Sequence, residues 1–233
     1  MSPESDKPSS SEEPLQDQHR TQATLDSTED DALIELQRAD IGATEIASLA
    51  KSPPAAKSRK VALAVVLHPR APRHISIPLL RRMFIFDLMQ VSLTPAVAAD
   101  IKRAAENQIM LRAESVSAGE KISLAKRASG RVAAALLQED DERVISPALD
   151  NAQLPEALVV QVLMKARAPG TLFNLVSRHR KWTNRREVQI ALLRSEKTPI
   201  EKARELAKNC SEEFLREIVP EERLRDLLTA GES

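Results

Sequence analysis

Tyrosine is absent from this chain of 233 residues, and Trp182 with Phe84, Phe86, Phe173 and Phe214 makes up all its aromatic content. The core must therefore be aliphatic, and the scarcity of aromatics argues against a dedicated stacking platform for single-stranded nucleic acid. Glycine occurs only at 42, 119, 130, 170 and 231, so no glycine-rich loop is present to cradle a phosphate. The lone Cys210 allows no internal disulfide. The N-terminus lacks a basic segment followed by an apolar one, and no apolar run reaches the roughly 18–20 residues of a membrane span. A cytoplasmic protein without a membrane partner is expected. His19, His68, His74 and His179 form no His-x-x-x-His pair, and no catalytic residue, metal site or cofactor is expected.

What the chain does have is a recurring phrase: an apolar helix stub, a few polar residues, a proline, then a second amphipathic helix. It stands at Leu63–Pro72, again at Val162–Pro169 and again at Ile190–Pro199. Each proline stops one helix and starts the next, which forces the chain to turn. Helix pairs repeated in this way predict an all-α fold, an irregular αα superhelix of the solenoid type. The anchors Pro72, Pro95, Arg131 (in the proline slot), Pro169 and Pro199 are unevenly spaced, unlike the strict tetratricopeptide or ankyrin period.

Residues 1–28 are rich in Ser, Pro, Glu, Asp and Gln and almost empty of large apolar residues, so a disordered acidic tail is expected there. The helical repeat domain follows over 29–228, and 229–233 is expected to be a disordered end. Thr94-Pro95 reads as a cap followed by a proline at the first helical position, opening a longer helix towards Leu111. Ser117 and Glu120 have the spacing of a capping box. Thr183 reads as the cap of a helix over Arg185 to Arg194.

The segment from Ala32 to Leu206 resembles bacterial HEAT-like and leucine-rich-repeat-variant α-solenoid proteins. The residues that carry the resemblance are Leu67–Pro72, the run Arg185–Arg194 and Lys197-Thr198-Pro199. It implies an αα superhelix and brings no catalytic residues with it. The pattern departs around Gly130-Arg131, where the proline is missing.

The zero net charge conceals a segregation. Residues 1–52 carry a net −8, residues 53–195 a net +11 and residues 196–233 a net −3. A basic body between acidic ends fits an acidic partner, or a tail that shields the body. Arg178, Arg180, Lys181, Arg185 and Arg186 surround Trp182. The run reads either as a phosphate-contacting patch in which Trp182 stacks on a base, or as a turn between helices with Trp182 packed inside. Arg70, Arg73, Arg81 and Arg82, beside His74, make a second cluster. The two clusters together form a basic stripe if the superhelix brings them into register, and solvated helix faces if it does not. Two functions follow as expectations: a non-enzymatic scaffold binding a protein or peptide in a groove of stacked second helices, and a nucleic-acid binder using the basic face.

Overall fold

The structure, a computed structural model, describes residues 28–228, and all regular structure there is helical. The expected tail over 1–27 and the end at 229–233 lie outside the described residues. Thr28, assigned to the tail by composition, already belongs to α1 (28–36). The chain divides into two compact units, Met1–Asp87 with Thr94–Ile101 and Leu88–Leu93 with Lys102–Ser233.

The first unit contains α1, α2 (Ala43–Lys51), α3 (Pro53–Lys57), α4 (Arg59–Leu67) and α5 (Arg73–Leu80). Its core gathers Leu36 of α1, Ile41 of the turn that follows, Ile46 of α2, and Val61 and Val65 one turn apart on α4, all buried. Pro53-Pro54 does more than end a helix. It also opens α3, because a proline in the first turn loses no hydrogen bond. Helix α6 (Ile85–Leu93) follows the break at 81–84.

Helix α7 (Ala99–Arg112) begins four residues after Pro95, so Thr94-Pro95 does not open it. Thr94 instead accepts a turn bond from Val97 N, and the chain turns once more before the helix starts. In the second unit follow α8 (Ala118–Arg127), α9 (Gly130–Leu136), α10 (Glu142–Leu149), α11 (Glu156–Leu163), α12 (Gly170–Arg178), α13 (Arg180–Thr183), α14 (Arg186–Arg194), α15 (Ile200–Ala207), α16 (Glu212–Ile218) and α17 (Glu221–Leu228). Helices α8, α10, α12, α15 and α17 pack successively in one row, and α9, α11 and α14 in another. The capping box forms as spaced: Ser117 Oγ accepts from Glu120 N, and Glu120 accepts from Ser117 N at 3.0 Å.

Prolines 72, 155, 169 and 199 all stand at N-cap positions, with φ between −83° and −51° and an extended ψ. The ring fixes φ, no N–H is lost, and the carbonyl accepts the first helical bond, as Pro199 O does from Ala203 N. In the slot near Arg131 the equivalent cap is Ser129, since α9 starts at Gly130.

A second device recurs with the prolines. Arg70 donates from Nη1 to the carbonyls of Ala39 and Ile41, 31 and 29 residues back. Lys197 donates from Nζ to those of Ala166 and Ala168, again 31 and 29 residues back, at 2.7 and 2.6 Å. Each cation precedes its proline by two positions and ties its helix-to-helix turn to one 29–31 residues earlier, with two other turns between. Carbonyls left unpaired at helix ends are natural acceptors for such a cation.

Candidate binding site

The cluster in the first unit is mostly committed to its own backbone. Arg70 is the clamp just described. Arg73 pairs with Asp100 at 3.1 Å, and Arg82 donates to Ala56 O at 2.8 Å. Arg81 is exposed. His68 accepts from Arg70 N through Nδ1, and burial, then the neighbouring Arg70 charge, hold its pKa below the ordinary imidazole value. A sequence reading cannot separate Arg70 from Arg81, because the acceptors of Arg70 stand 29 and 31 residues away.

In the second unit, Trp182 is 1% exposed and its Nε1 donates to Leu149 O at 3.0 Å. The base-stacking reading of Trp182 is corrected accordingly: the ring lies in the core, where a buried indole needs one acceptor and has it. Lys181 lies with its Nζ 4.2 Å from the ring centroid. Thr183 does not cap the next helix. It is the last residue of α13, its hydroxyl donating to His179 O, while Arg185 takes the N-cap position of α14 with no side-chain bond. His179 caps α13 by accepting from Lys181 N at Nδ1, so Nε2 carries the proton and donates to Asp150 at 3.0 Å. Arg185 stands 3.9 Å from Glu156, and Arg186 lies over the Phe214 ring. Arg178 and Arg180 are exposed, with no side-chain partner among the described residues.

The structure adds a groove that composition did not reveal. Arg131, Ala134, Ala135 and Gln138 on and just after α9 face Leu158, Gln161, Val162 and Lys165 on and just after α11, around a recess of about 360 Å³. Both sets follow i, i+3, i+4, i+7, the spacing of one helical face. Lys165 Nζ donates to Gln138 Oε1 at 3.3 Å, which places the C-terminal ends of the two faces together. The floor is small and apolar over about two turns, or about 10 Å. Arg131 pairs with Glu106 at 3.3 Å, and Lys165 has no carboxylate partner among the described residues. Leu111 and Met164, next in sequence to the lining residues Met110 and Lys165, are 76% and 59% exposed. In sequence this stripe is indistinguishable from a core face. It is a groove because no neighbouring helix among the described residues fills it.

A wider recess of about 640 Å³ lies among α15, α16 and α17. Glu201, Glu205 and Glu212 are interspersed around it with Arg204 and Lys208. Cys210, half-buried there, donates to Leu206 O. Among the described residues no three His, Cys, Asp or Glu side chains are grouped to hold a metal ion, and no helix is long and apolar enough to cross a membrane. Compared with protein-family models, curated proteins and solved structures, the chain matches none.

Proposed function

We propose that this chain is a non-enzymatic, HEAT-like scaffold that holds a protein or peptide segment in the groove between α9 and α11. The observation that carries the reading is the pair of matched helical faces, apolar at the floor and amide- and cation-tipped at the ends, around a recess that no helix among the described residues fills. A solenoid presents such rows because each helix is covered by its neighbours along the stack and left open towards the groove. The alternating packing of α8, α10 and α12 against one another, and of α9 with α11, supports the repeat interpretation. So do the two clamps of identical reach at Arg70 and Lys197. The groove pairs α9, which follows the slot near Arg131, with α11, the stub before Pro169, whereas the repeat grammar pointed to stacked second helices. A photocrosslinker placed at Gln161 in the native host should capture a partner, and Ala135→Glu, which sets a carboxylate on the floor, should abolish the capture. Capture unaffected by Ala135→Glu, or equal from a crosslinker at Arg127, removes the groove.

One observation favours nucleic acid as a second reading. Arg178 and Arg180 are exposed and unpaired beside Lys181, Arg185 and Arg186, and a duplex backbone needs cations, not aromatic platforms.

A further inference from the structure

Phe84 is 63% exposed, the one aromatic side chain of the described residues that stands out in solvent. It is nevertheless held in place. The Arg59 guanidinium lies 4.7 Å from its ring centroid, and Arg59 is itself fixed by two bonds to Asp87, Nε to Oδ2 at 2.8 Å and Nη2 to Oδ1 at 2.7 Å. The Asp87 side chain is buried, so the chain of contacts from Asp87 through Arg59 to the ring is anchored in the first unit. An aromatic ring that is both exposed and already ordered loses little freedom on binding, which is the character of an interface anchor.

Beside the ring lies a cavity of about 180 Å³, with Ala62, Leu79 and Met83 in its wall. Its size suits one large side chain and falls below the roughly 300–1,000 Å³ of cofactor and drug sites. Its charged lining is unbalanced: Lys57, Arg59 and Arg82 against Asp87 alone. Asp87 is spent on Arg59. Arg82 bonds only the Ala56 carbonyl, and Lys57 has no side-chain partner among the described residues. A cationic occupant is repelled, and a carboxylate next to the apolar anchor finds two cations.

We propose that this slot of the first unit docks an acidic peptide segment through one large apolar side chain, which packs on Phe84 and into the cavity while flanking carboxylates meet Arg82 and Lys57. A nucleobase fits less well, because Arg59 already lies against the ring on which it would stack. The slot shares no residue with the α9–α11 groove and stands or falls apart from it.

The test uses the full-length protein and fluorescence anisotropy with four labelled probes: the peptides Glu-Asp-Leu-Phe-Asp-Glu, Glu-Asp-Ser-Ser-Asp-Glu and Lys-Lys-Leu-Phe-Lys-Lys, and a short oligothymidylate. The first peptide should bind at least tenfold tighter than the other three. Phe84→Ser and Arg82→Glu should each weaken it at least fivefold, and Ala135→Glu in the groove should leave it unchanged. Amide shift changes on peptide addition should centre on residues 56–62 and 79–87, a readout that holds even if one variant folds poorly. Equal binding of the serine peptide, preference for oligothymidylate, no binding of the first peptide, or shift changes elsewhere would each overturn the proposal.

Discussion

Two glycines occupy the same place in their helices and should respond to the same substitution in opposite directions. Gly130 and Gly170 are each the first residue of a helix, after the caps Ser129 and Pro169. A Cβ built on Gly130 meets the Gln153 carbonyl oxygen at 2.0 Å and its carbon at 2.9 Å, whereas one on Gly170 meets nothing within 4 Å. The Gln153 turn cannot easily retreat. Buried Asn151 ties it to the end of α8, donating to Ala125 O at 2.8 Å and Ala128 O at 3.0 Å and accepting from Gln153 N. Overpacking costs about 1–3 kcal/mol and sometimes more, and a clash with pinned backbone belongs at the upper end. Better helix propensity returns at most about 1 kcal/mol. Gly130→Ala should therefore lose about 2 kcal/mol, or about 4–8 °C in Tm for a chain of this size. Gly170→Ala should gain about 0.4–1 kcal/mol through the reduced freedom of the unfolded chain. Urea and thermal denaturation of both variants, followed by circular dichroism, give the comparison. A neutral or stabilised Gly130→Ala would refute the close approach of the 151–153 turn to α9.

Leu193 is fully buried in the cluster of Ala203, Leu215 and Ile218, so Leu193→Ala should cost about 2–5 kcal/mol in urea unfolding; a loss under about 0.5 kcal/mol would place α14 at the surface. His68 has its pKa depressed in the fold, so the unfolded chain takes up the proton first. Its contribution to stability is complete above the ordinary value of about 6.5 and is lost as pH falls through the depressed one. His68→Gln should accordingly flatten the fall in the urea midpoint as pH drops below neutrality. If duplex DNA binds through Arg178, Arg180, Lys181, Arg185 and Arg186, the log–log salt slope should be about −4.5, and replacing Arg178 and Arg180 by glutamine should shrink it by about 2. Salt-independent binding, or an unchanged slope, would remove that reading.

Much of the helical layout was legible because its signals are local. The span Gly170–Arg178 follows directly from Pro169, and Ser117 with Glu120 closes a capping box within four residues. A proline's fixed φ or a cap's hydroxyl acts on its own turn and needs no distant partner. The misplacements arose where a local signal had competition. Thr94-Pro95 went into a turn, and Thr183 bonded back to His179 O instead of capping forward. Helices α3 and α13, of five and four residues, are too short to show a period in the sequence.

The candidate sites were far less legible. Arg70, Arg82 and Arg178 look alike in sequence, yet two of them end on carbonyls 26–31 residues away and the third ends in solvent. Trp182 read as a base platform or, in preference, as core packing, and the Leu149 carbonyl, 33 residues back, receives its N–H. The same stripe on α9 would be core with one more helix above it and is a groove without one. By itself the sequence determined the helical class, the caps and most helix ends, since those depend on backbone geometry within a turn or two. Only the tertiary structure decided which cations are clamps and which are free, and which apolar faces stay uncovered. Those outcomes depend on the partner that packing delivers from 26–33 residues away, and no local signal encodes it.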